Sequence, residues 1–145
     1  RQKDDTFLMV MAEDDHDDQL LAKEALERSK LSHQMVTVDD GQALMDYLED
    51  QIKIKRAKRP DLILLDLNLP RLDGIQVLER LKKDEQYRRI PVVILTTSRA
   101  DEDVTRCYDM GVGGFFTKPV TFDGLVTIIK SIDQYWFTTV KLPSE

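Results

Sequence analysis

The run Leu62-Ile63-Leu64-Leu65 constrains this chain most, because a strand that is apolar at every consecutive position must be covered on both faces. A strand with one wet face would alternate instead. Counting its flanks, the run spans Asp61–Asp66, and four more short runs resemble it at Phe7–Ala12, Gln34–Val38, Val92–Thr96 and Gly114–Thr117. Between them lie stretches of helical period at Asp17–Ser29, Gly41–Ile52, Asp73–Lys83 and Asp101–Met110, with a longer last helix over Phe122–Phe137. Ile75, Leu78 and Leu81 recur on one face of the third helix, and Leu125, Ile128, Ile129 and Ile132 on one face of the fifth. Punctuation agrees: Pro91 precedes a strand, Asp73-Gly74 opens a helix after Pro70, and Gly111 stands where a helix C-cap is wanted.

Strands alternating with helices imply βαβ units and a parallel sheet. The expected class is α/β, a flavodoxin-like sheet of five strands in the order 2-1-3-4-5 with five helices, the last extended. Such a sheet binds ligands beyond the carboxyl ends of its strands.

The 145 residues suit one domain, and 41% hydrophobic residues suffice for a core. The expectation is a single domain over 1–145, with a core of about residues 7–137 and a C-terminal extension over 138–145. No apolar run approaches the roughly 20 residues that cross a bilayer, and Arg1-Gln2-Lys3-Asp4-Asp5 lacks a signal peptide's apolar stretch. A soluble, cytoplasmic protein is expected. Cys107 has no partner for a disulfide, and with only His16 and His33 beside it a zinc site lacks soft ligands. Any metal must therefore be held by oxygen. The net charge of -6 argues against a nucleic-acid partner, and the basic stretch Lys53–Pro60, without aromatics, reads as a solvated loop.

The first strand ends in Glu13-Asp14-Asp15, the third in Asp66, the fourth in Thr96 and the fifth in Thr117-Lys118-Pro119. Singly these are ordinary, since acidic residues after a strand commonly cap helices, and a lysine before proline is usually a solvated loop residue. Together they bring three or four carboxylates, a hydroxyl and an ammonium to one rim. Like charges about 4–5 Å apart cost each other roughly several kcal/mol at an effective dielectric of about 20. A hard divalent cation removes that cost, and Mg²⁺ takes a few carboxylate and carbonyl oxygens plus waters that phosphoryl oxygens can displace.

The pattern Glu13-Asp14, Asp66-Leu67-Asn68-Leu69-Pro70, Asp73-Gly74, Thr96-Thr97-Ser98 and Lys118-Pro119 resembles the receiver domains of two-component response regulators, from about Phe7 to Trp136. More narrowly, the stretches Leu64–Pro70, Ile90–Ser98 and Trp136–Pro143 look like stand-alone regulators that partner bacterial phytochrome histidine kinases.

The resemblance implies that Asp66 takes a phosphoryl group from a kinase phosphohistidine in a Mg²⁺-dependent reaction. It implies Asp14 as a direct metal ligand, Glu13 as a second acidic ligand through water, and the Asn68 backbone carbonyl as the protein's remaining share. Lys118 would place its ammonium on a phosphoryl oxygen, and Thr96 would donate its hydroxyl to another. The Lys118–Pro119 peptide would be cis. Asp15 is left as a helix N-terminal residue. Phe115 would be the switch aromatic, turning inward on phosphorylation, with Phe116 on the opposite face and in the core. The readout would lie on the fourth helix, fifth strand and fifth helix and act through a protein contact or relay, with no DNA-binding module following. The strip Tyr135-Trp136-Phe137, Val140 and Leu142 would dock on its own domain or support a homodimer through the last helix.

Three rivals share this starting point. An aspartate-based phosphatase would want a general acid two residues after Asp66, where Asn68 stands and cannot donate a proton in that way. Slow self-dephosphorylation stays open, with Asn68 and Ser98 flanking the attacking water. A flavin electron carrier would need a phosphate cradle where Glu13-Asp14-Asp15 repels phosphate. A scaffold without chemistry would not need Asp66, Thr96 and Lys118 together.

Overall fold

The computed structural model describes residues 7–28, 33–54 and 58–139. In chain order they form β1 (Phe7–Ala12), α1 (His16–Glu27), β2 (His33–Val38), α2 (Gly41–Lys53), β3 (Leu62–Leu65), α3 (Gly74–Lys83), β4 (Val92–Thr96), α4 (Asp101–Asp109), β5 (Gly114–Thr117) and α5 (Phe122–Asp133). The expected boundaries hold to within one or two residues, except that the last α-helix, expected to Phe137, ends at Asp133. Ser29, Lys55, Arg56, Val140 and Leu142, all assigned from sequence, lie outside the described residues.

All strand pairings are parallel, in the order β2-β1-β3-β4-β5. Every residue of β1, β3 and β4 is buried, as strands apolar on both faces require. Their side chains feed two cores. Val10, Ile63, Leu65 and Ile94 meet Leu44, Leu78 and Leu81 from α2 and α3 on one face, while Met9, Met11, Leu64 and Leu95 meet Ala25, Leu125 and Ile129 from α1 and α5 on the other. On β5, Phe115 packs against the first core and Phe116 against the second, both half-buried. The alternation expected from sequence is therefore present, although Phe115 already leans on a core.

Helix ends follow local chemistry. Asp15 caps α1 by accepting from the amides of Asp17 and Asp18, Asp73 and Gln76 form a reciprocal capping box on α3, and Thr121 caps α5. Helix α4 closes in a Schellman turn, with the Gly111 amide donating to Tyr108 and the Val112 amide to Cys107, and Gly111 takes a φ of 89°. The last helix is indeed prolonged, but past Asp133 it widens into a π-wound segment, Gln134–Thr139.

Candidate functional site at the carboxyl rim of the sheet

Register builds the site. Ala12 pairs with Leu65, so the next residues, Glu13 and Asp66, emerge side by side at the top of the sheet. Thr96 pairs with Thr117, and the Lys118 amide then donates to the Thr96 carbonyl at 2.8 Å, which brings Lys118 to the same rim. The loop after β3 stays close because the Asn68 amide donates to Asp66 Oδ1 at 3.0 Å and the Gly74 amide to the Leu67 carbonyl at 3.0 Å. Gly74 is required there, since a Cβ would lie 2.3 Å from the Asp66 carbonyl oxygen.

Glu13, Asp14 and Asp66 each bring a carboxylate oxygen within 4.8 Å of the others. Glu13 is 1% exposed and Asp66 4%, whereas Asp14 faces solvent. Lys118 Nζ sits among carboxylates, 2.5 Å from Glu13 Oε1 and 3.0 Å from each of Asp66 Oδ2 and Asp18 Oδ2. Glu13 Oε2 accepts from the Asp15 amide at 3.0 Å, but buried Oε1 has no aligned hydrogen-bond donor and rests only on its ion pair with Lys118. Burial pushes the Glu13 carboxyl up to about 7, opposed by the Lys118 ammonium and the Asp15 amide. Burial also works to lower Lys118, yet its bonds to Glu13, Asp18 and Asp66 outweigh that and hold it above the usual lysine range. Three hard carboxylate donors within 4.8 Å of one another, two of them buried and sharing one ammonium, fit a divalent cation, and the donors would be Glu13, Asp14 and Asp66.

Thr96 is fully buried, and its hydroxyl is held at long range, accepting from Asn68 Nδ2 and from the Ser98 amide at 3.4 Å each. Asn68 Nδ2 also donates to Thr97 Oγ1 at 3.3 Å.

The rim therefore gathers Glu13, Asp14, Asp66, Asn68, Thr96 and Lys118 as the strand ends suggested. Asp15 is a helix cap, as read. Cys107 is buried and His16 lies against Asp39 at the surface. Among the described residues no peptide bond is cis, so Lys118–Pro119 is trans, contrary to the expected geometry and in line with the preference of about 0.5–1 kcal/mol that X–Pro bonds retain for trans. The Ser98 hydroxyl donates to Asp103 Oδ2 at 2.7 Å, which leaves it only acceptor capacity for a water. Asp18 was missed. Its only sequence signal is membership of the acidic run Asp14–Asp18, and nothing there announces a partner 100 residues away. A cleft of about 180 Å³ opens beside it, floored by Met11, Leu95 and Leu125 and edged by Lys118 and Val120.

The family model of the response regulator receiver domain matches residues 9–130. Response regulator Rcp1 of Synechocystis sp. is 38% identical over 137 residues, covering 94% of this chain and 93% of that protein. The probable methanogenesis regulatory protein FilR2 of Methanothrix harundinacea is 37% identical over 92% of this chain and 85% of its own length. Among solved structures, the phosphorylated cyanobacterial phytochrome response regulator RcpA superposes with a TM-score of 0.88 at 42% identity, covering 96% of this chain and 99% of that one. The Mn²⁺-bound form of Rcp1 superposes with a TM-score of 0.86 at 38% identity, covering 95% and 99%. With the strand order, the buried acidic rim and these likenesses in agreement, this chain is a response regulator and belongs to the receiver domain family.

Proposed function

We propose that this chain is one receiver unit, core about 7–137, working in the cytoplasm and taking a phosphoryl group on Asp66 from a sensor histidine kinase. The observation that carries this reading is Asp66 itself, a buried carboxylate 3.0 Å from a lysine ammonium and within a three-carboxylate cluster at the strand ends. Its relatives add weight, one being a phytochrome response regulator in phosphorylated form and another a Mn²⁺-bound form. A bacterial phytochrome is accordingly the class of kinase favoured here.

Glu13, Asp14 and Asp66 would hold Mg²⁺ with the Asn68 backbone carbonyl. Bound there, Mg²⁺ offsets negative charge on the transferring group. An Asp66 carboxylate oxygen attacks phosphorus, the phosphorus–nitrogen bond of the donor phosphohistidine breaks, and an acyl phosphate results. Lys118 supplies a point charge to a phosphoryl oxygen. The Thr96 hydroxyl leaves its long contacts with Asn68 and Ser98 to donate to another, and Phe115 follows by packing alone, turning further inward because it has no hydroxyl. The chain is a phosphoacceptor rather than an enzyme with outside substrates, since Asn68 offers no general acid. Its output is a protein contact on α4, β5 and α5, and a homodimer through the C-terminal helix region belongs to the same reading.

Incubation with acetyl phosphate and Mg²⁺ followed by peptide mapping tests this. One phosphoryl group on Asp66, lost in Asp66→Asn and on chelation, is the expected result. Label elsewhere, or release of phosphate over many turnovers, would overturn it.

A further inference from the structure

Lys118 offers three N–H donors and meets three carboxylates, Glu13, Asp18 and Asp66. Two of these also belong to the candidate metal cluster, and Asp18 does not. A cation held by Glu13, Asp14 and Asp66 would draw on carboxylates that the ammonium now contacts, and the two positive charges would repel. The charge of Asp18, outside the cluster, meets Lys118 and no other cation among the described residues. Its place is fixed from behind: Asp15 accepts from the Asp17 and Asp18 amides at 2.9 and 3.2 Å, which sets the first turn of α1 with Asp18 Oδ2 toward the lysine. The pair is half-buried, with side-chain exposures of 14% for Lys118 and 31% for Asp18, so it is not a freely solvated surface contact.

We propose that Asp18 is a positioning residue that draws the Lys118 ammonium toward α1, leaving the Glu13 and Asp66 oxygens to a divalent cation while the lysine stays beside Asp66. This rests on the reading of the rim as a Mg²⁺-dependent phosphoacceptor site. Without Asp18 the lysine would settle on the other two carboxylates and compete with the metal.

Mg²⁺ titrated alone into the full chain by calorimetry tests the idea. Asp18→Asn keeps the shape and removes the charge, and Asp18→Ala removes both. Each should weaken Mg²⁺ binding about ten-fold, the usual size of an outer-shell effect. Asp17→Asn is the control, since Asp17 is the exposed neighbour with the same charge and does not touch Lys118. It should change affinity by about two-fold or less, because exposed charges are screened. In a Lys118→Met background, Asp18→Asn should lose its effect down to that control level, which a merely structural role of Asp18 would not produce. An Asp18→Asn effect equal to the control, absent altogether, or undiminished in Lys118→Met overturns this inference and leaves the phosphoacceptor reading standing. Failure of the unsubstituted chain to bind Mg²⁺ overturns both.

Discussion

Thr96 is held by bonds that are long for their kind, and that decides what its hydroxyl is worth. Both its contacts, from Asn68 Nδ2 and the Ser98 amide, are 3.4 Å, against a usual N–H···O length of about 2.9–3.0 Å. Thr96→Val should therefore cost the resting fold less than about 1 kcal/mol in a urea melt. The same change should leave Asp66 open to acetyl phosphate while erasing the chemical-shift response of β5 to phosphorylation. A full response in the variant would remove Thr96 from the switch. Cys107 is the opposite kind of residue, tightly placed and inert. Burial, helped by the Asp103 carboxylate, pushes its thiol up to about 11. A thiol raised in the folded state favours folding while it keeps its proton, so its contribution is intact below about pH 9 and is lost as pH climbs toward 11. At pH 8 the native protein should react with a disulfide reagent only as fast as it opens, and urea should release the thiol. Fast labelling of the native state would show that α4 does not hold it against the core.

Between β3 and α3 the chain makes a tight turn at a residue poorly suited to it. The Leu72 amide donates to the Pro70 carbonyl at 2.7 Å, which forces Arg71 to a φ of 69°. A side chain costs about 1–2 kcal/mol in that region, and the Arg71 ion pair with Asp40, 3.8 Å long with the arginine mostly exposed, returns little. Arg71→Gly should accordingly gain about 0.5–1 kcal/mol in a denaturant melt, less than the relief of strain because glycine has more freedom to lose on folding. Gly74→Ala, a turn later, should do the reverse by about 2 kcal/mol or more, since its methyl must displace the Asp66 backbone. The elements themselves were legible in sequence wherever a local rule governs them: consecutive apolar residues in β3, the cap at Asp73, the glycine at the end of α4. Arg71 was not legible, because the strain comes from closing a loop over the rim and not from any preference of arginine. The π-wound end of α5 was not legible either, for the spacing of Leu125, Ile128, Ile129 and Ile132 stops before Gln134.

At the scale of the whole molecule, strand ends are what a parallel sheet makes predictable, and side-chain partners across it are what sequence spacing does not. Glu13, Asp66, Thr96 and Lys118 could be placed on one rim because each directly follows or ends a strand. Asp18 could not, because its bond to Lys118 depends on how α1 lies against the β5–α5 turn. The same sheet joins the rim to the C-terminal segment. Trp136 packs against the α1–α5 core and sits over Gly113, where a Cβ would meet its ring at 2.5 Å, so it is seated at the head of the strand that delivers Lys118. For Trp136, docking on its own domain is therefore the reading the structure bears out. Tyr135 meets that ring edge-on at 5.1 Å yet remains 53% exposed. The two aromatics should separate in experiment. Trp136→Ala should cost about 2 kcal/mol of stability, below the 3–5 of a fully buried tryptophan because the ring is half-buried, and that loss should not vary with protein concentration. Tyr135→Ala should shift stability by no more than about 0.5 kcal/mol. If the proposed homodimer uses this strip, Tyr135→Ala should instead weaken self-association in sedimentation velocity. Unchanged association in Tyr135→Ala, together with a Trp136→Ala loss that shrinks on dilution, would move the dimer contact onto Trp136 and unseat it from Gly113.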